Sequence, residues 1–132
     1  MTLLIYTTRM EGAGERLLQI VDTVVSGENV KIYRTVDGLS RGLRQPRNEV
    51  TLAILLASSK EDLINLLSIR DLLSDMKIIL ILPDSDPETV AKGHMLRPRF
   101  LTYCDSDFVD VAAVLSLMVR NLGEDKSLDI HT

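Results

Sequence analysis

Few residues in this chain are equipped for chemistry, and their spacing limits what they could do. Ser58 and Ser59 are adjacent hydroxyls, and Cys104 is the single thiol. Each would need a base to act as a nucleophile, and His94 and His131, the two histidines, fall in none of the same loops. Asp84, Asp86, Asp105 and Asp107 carry carboxylates that could meet a hard cation. Their simpler roles are helix caps for Asp86 and Asp107 and solvated turns for the other two. Gly12-Ala13-Gly14 precedes a helical pattern, as a phosphate loop would. The third glycine of the dinucleotide fingerprint is replaced by Leu17, and Glu11 and Glu15 would repel a phosphate. A flexible loop and helix start is the plainer reading. Arg34, Arg41, Arg44 and Arg47 form a basic stretch, either a solvated face or a contact for an acidic partner or phosphate. His94 reads as a helix-surface residue. Cys104 reads as a partly buried small hydrophobe, although a nearby helix start could lower its pKa.

Composition narrows the field further. The chain has 132 residues, 45% hydrophobic and 26% charged, which suits one ordered domain. A net charge of −4 argues against a general nucleic-acid binder. One Cys excludes an internal disulfide, and with two His it leaves no zinc cluster, so no metal is expected. Aromatics make up 4% with no Trp, so rings that would stack on a flavin or base are scarce and no cofactor is expected. No apolar run approaches the ~20 residues that span a bilayer. No basic segment precedes the first apolar run. A cytoplasmic protein without membrane contact is expected.

The elements that must position these residues alternate. Apolar runs at 3–6, 30–33, 50–56, 78–82 and 99–103 read as strands. The third and fourth are continuous, as central strands covered on both faces would be. The second alternates with Lys31 and suits an edge. Between them, Leu17, Ile20, Val21 and Val24 recur at helical spacing, with Gly27 as a stop. Leu39 and Leu43 mark a short helix. Ser58 to Glu61 forms a capping box for a helix carrying Leu63, Leu66, Leu67, Arg70 and Leu73. Asp86-Pro87-Glu88 opens another helix. Asp107 caps the last helix, which is predicted to stop at Gly123. A domain over 1–123 and a polar tail over 124–132 follow. The fold class is α/β: a three-layer, doubly wound (βα)5 parallel sheet in strand order 2-1-3-4-5.

In such a sheet, ligands sit at the carboxyl ends of the strands. The stretch Ile78-Ile79-Leu80-Ile81-Leu82-Pro83-Asp84-Ser85-Asp86, followed by Arg99-Phe100-Leu101-Thr102-Tyr103, resembles a response-regulator receiver domain over roughly 2–122. The resemblance implies a flavodoxin-like fold and phosphoryl transfer to an Asp at the end of strand 3. Here that end reads Leu56-Ala57-Ser58. Thr7 and Thr8 stand where the family's acid pair holds Mg²⁺, Leu82 where it has Ser or Thr, and Tyr103 where it has Lys. Nucleophile, metal ligands and balancing cation are all replaced. A degenerate, non-enzymatic pseudo-receiver is the expectation, a signalling module acting through protein–protein contacts.

The last helix points the same way. Phe108, Val111, Ala112, Leu115, Met118 and Leu122 form one apolar stripe, and Val109, Ala113, Val114, Leu117 and Val119 form a second. A sheet-covering helix needs only one. A neighbouring helix or a partner must cover the rest. In receivers this region forms dimer or effector surfaces, so the resemblance implies a homodimer through Val109, Ala113, Leu117 and Val119. The alternative is a small-ligand domain that binds a nucleotide, flavin or phosphate, lined by Thr7, Thr8, Gly12, Gly14 and Ser58.

Overall fold

A computed structural model of the chain describes residues 2–25, 30–45 and 50–131. Five strands form one sheet: β1 (Thr2–Thr7), β2 (Val30–Tyr33), β3 (Val50–Leu56), β4 (Lys77–Leu82) and β5 (Phe100–Tyr103). All four neighbour pairs are parallel, and the order is β2-β1-β3-β4-β5. The expected three-layer α/β, flavodoxin-like arrangement is the one observed.

The apolar continuity of the central strands is explained by two cores, one on each face. Leu3 and Ile5 of β1, Leu52, Ile54 and Leu56 of β3, and Ile79 and Ile81 of β4 pack under α1 (Ala13–Asp22) and α6 (Val109–His131). The alternate residues, among them Leu4, Tyr6, Ala53, Leu55, Ile78, Leu80 and Leu82, pack on the opposite face. There they meet α2 (Val36–Leu43), α3 (Lys60–Leu67), α4 (Arg70–Leu73) and α5 (Pro87–His94). Successive strand side chains point to opposite faces, so a strand with helices on both sides has no polar position to offer.

Several boundaries differ from expectation. The capping box lies one residue later than Ser58–Glu61: Ser59 is the N-cap, and its side chain accepts a hydrogen bond from the Asp62 N–H at 3.1 Å. The helix it opens does not run unbroken to Leu73. It ends at Leu67, and a separate turn, α4, follows Ile69. Asp86 does occupy the N-cap of α5, but its carboxylate pairs with Lys60 at 2.9 Å instead of capping the backbone. Asp107 accepts from the Val109 N–H at 3.1 Å and so does serve the start of α6. Helix α6 does not stop at Gly123. It continues to His131, because a lone glycine inside a helix costs only ~1 kcal/mol and need not end it. Gly27 and Arg47 lie outside the described residues. No described helix is long and apolar enough to cross a membrane.

Candidate functional site

The strand order reverses between β1 and β3, so the crevice at the carboxyl ends of these two strands is the natural place for a site. Thr7 and Leu56 are partners in register at the last rung. Beyond them the chain opens a cavity of about 520 Å³, lined by Arg9, Glu11, Gly12, Ala13, Gly14, Ser58 and Cys104.

Thr7 closes β1. Its buried hydroxyl donates to the Arg9 carbonyl at 2.6 Å and turns the chain into the loop that forms one wall. The same loop is compressed against α1. A Cβ placed on Gly14 would lie 1.9 Å from the Arg9 carbonyl oxygen, so no side chain fits there. Gly12 has φ 62° and ψ −120°, a backbone that glycine adopts readily and other residues rarely do. No side chain caps α1 at this residue, which leaves its first N–H groups facing the loop. Glu11 and Glu15 flank that end.

The opposite wall is organised by a residue that sequence reasoning did not single out. Asp62, in the first turn of α3, accepts from the Thr8 hydroxyl at 3.0 Å and from the Ser58 N–H at 3.1 Å through the same oxygen. It therefore ties the β1 loop to the start of α3. The signal for it was Ser59-x-x-Asp62, hidden by the neighbouring Ser58–Glu61 pattern. Asp62 also acts on Tyr6, which is 1% exposed. Burial first, and the Asp62 negative charge second, push the Tyr6 phenol up to about 12.

The third wall comes from the β5–α6 turn. The Cys104 thiol donates to the Ala57 carbonyl at 3.6 Å, and burial pushes its pKa up. The approach of Arg16 acts in the opposite sense, as the next largest influence. A nearby helix start therefore does not activate this thiol, and Cys104 is a half-buried hydrophobe, as its simpler reading held. Arg16, one turn into α1, donates to the Cys104 carbonyl at 2.7 Å and lies 5.4 Å from the centroid of the Phe108 ring. Phe108 is fully buried and has φ 64°. Such a backbone costs a non-glycine residue on the order of 1–2 kcal/mol.

The six positions that the receiver resemblance singles out are only partly brought together. Thr7, Thr8, Ala57 and Ser58 adjoin one another at the β1–β3 crevice. Ala57 and Leu82 are fully buried in the core under α2–α5, and Tyr103 packs against that core at the sheet edge. Tyr103 lines a separate cavity of about 430 Å³ with Pro83, Asp84, Ser85 and Asp105. Asp84 is held below the usual carboxylate range, first by the Thr89 hydroxyl, although that buried hydroxyl makes no hydrogen bond of good geometry. Among the described residues, no three His, Cys, Asp or Glu groups come together in a way that would hold a metal ion. Arg41 pairs with Asp37 on the surface of α2, which accounts for one arginine of the basic stretch.

The interface candidates on α6 divide. Val109 (63% exposed), Ala113 and Leu117 (55% exposed) point outward at four-residue spacing. Val119 is partly buried and packs against the core under α1 and α6, as do Val114 and Met118. Thus the core takes up Val114 and Val119 of the second stripe, and Val109, Ala113 and Leu117 remain as an outward row. No protein-family model matches the chain, and no curated protein matches it significantly.

Proposed function

We propose that the protein is a non-enzymatic regulatory module of the pseudo-receiver kind, acting through protein–protein contacts and pairing with a second copy through α6. The observation that carries this reading is the outward row Val109, Ala113 and Leu117 on α6, whose inward face packs on the core through Val111 and Leu115.

The carboxyl edge supports the non-enzymatic half of the reading. Phosphoryl transfer to a carboxylate needs an accessible acceptor, metal ligands and a balancing cation. The strand-end positions that would supply them hold Ala57, Leu82 and Thr7, all fully buried, and the half-buried Tyr103. Asp62 is a carboxylate near this edge, but its inner oxygen already accepts two hydrogen bonds from the protein. Among the described side chains, no histidine stands beside the hydroxyls to activate them: His94 ends α5. The test is incubation with a small acyl phosphate and Mg²⁺, followed by intact mass measurement. The expected result is an unchanged mass. A Mg²⁺-dependent, hydroxylamine-labile phosphoryl adduct would overturn the reading.

A second reading rests on the 520 Å³ cavity, which has Arg9, uncapped N–H groups of α1 and Ser58 around it. These would suit a small anionic ligand such as a nucleotide or phosphate. Stabilisation by several degrees with one nucleotide in a thermal-shift screen would favour it over the first.

A further inference from the structure

We propose that Arg16 is a latch that holds the β5–α6 turn in its strained form and so ties the cavity to the outward row of α6. The inference deepens the contact-surface reading above and relies on it only for the consequence of release. The turn from Cys104 to Phe108 cannot relax without moving three things at once. Its first residue lines the cavity. Its last, Phe108, is the buried non-glycine residue with φ 64°. The next residue, Val109, begins α6 and the exposed row.

A strained backbone persists only where its surroundings over-determine it. Here the Ser106 hydroxyl accepts from the Phe108 N–H at 3.0 Å, and the Asp107 carboxylate accepts from the Val109 N–H at 3.1 Å. Both of these restraints are local to the turn. From the sheet side, Cys104 is held by its N–H on the Leu82 carbonyl at 2.9 Å and its thiol on the Ala57 carbonyl at 3.6 Å, but neither bond reaches Phe108. Arg16 is the restraint from α1 that meets both ends of the turn. Its guanidinium reaches the Cys104 carbonyl at 2.7 Å and lies 5.4 Å from the Phe108 centroid, clamping both ends of the turn. It comes from α1, whose first residues Ala13 and Gly14 form the facing wall of the same cavity. A ligand or partner that moves the first turn of α1, or draws the guanidinium toward a negative charge, competes directly with the Cys104 carbonyl. The release would pass to Val109 within one residue of the strained one.

Hydrogen exchange on the full chain tests the latch without assuming any partner. In R16Q, amides of residues 104–112 should exchange at least tenfold faster than in wild type, while those of β3 and β4 stay unchanged. Arg16 is exposed, so the substitution should leave the fold intact. Unchanged exchange over 104–112, or an equal rise throughout the chain, would overturn the proposal. A cycle with F108L adds a second check. R16Q should accelerate exchange less in the F108L background than in wild type, and equal factors in both would overturn the clamp. Where F108L does not fold, the R16Q comparison decides alone. A wild-type chain that stays monomeric removes the contact-surface reading but leaves this result to be judged by exchange.

Discussion

Tyr6 shows what a single buried side chain costs and controls. Its ring lies in the core under α2–α5, and its phenol titrates at about 12 instead of the ordinary 10.0 because burial and the Asp62 charge both disfavour phenolate. The folded pKa is raised, so the folded chain holds this proton more tightly than the unfolded chain does. The associated stability, about 3 kcal/mol, is fully present below pH 10 and is lost as pH rises through about 12. Cys104 acts in the same direction from its ordinary 9.0. Absorbance titration of tyrosinate should therefore show one of the three tyrosines ionising late, together with unfolding. Three tyrosines that ionise together near 10 with the fold intact would refute the burial argument. The exposed pairs Lys60–Asp86 and Lys92–Glu88 add little to stability, because solvent screens them.

Elements were legible where one physical signal dominated. The continuous runs of β3 and β4 identified central strands, since only a strand covered on both faces can be apolar throughout. Alternation with Lys31 identified β2 as an edge. Cap details were less legible. Two overlapping Ser-x-x-acid patterns compete at 58–62, and tertiary contacts of Asp62 with Thr8 selected the second. Gly123 signalled a stop that the helix passes through. The β1–α1 junction offers a test at this scale. Gly14 sits against the Arg9 carbonyl, so G14A must move the loop or the helix. It should destabilise by about 1–3 kcal/mol in denaturant titration, as overpacking of a tight contact does. An unchanged midpoint would mean that the loop does not hold α1 in place.

At the scale of the molecule, the strand order could be read from the βα alternation because right-handed crossovers leave few topologies for five parallel strands. The candidate site was legible only in part. Thr7, Thr8 and Ser58 were placed by the strand ends, but Asp62 and Arg16 carry no local signal of their long-range partners. Arg16 reaches a residue 88 positions away, and Asp62 one 54 away. No periodicity reports such contacts. The proposed pairing uses the outward apolar row of α6 to meet a second copy of the chain. Light scattering across a concentration series decides whether it occurs. Wild type should approach about twice 14.7 kDa, and the V109E/L117E variant should stay at the monomer mass with its circular dichroism unchanged. A wild-type mass of 14.7 kDa at every concentration, or a dimer that survives both substitutions, would contradict it.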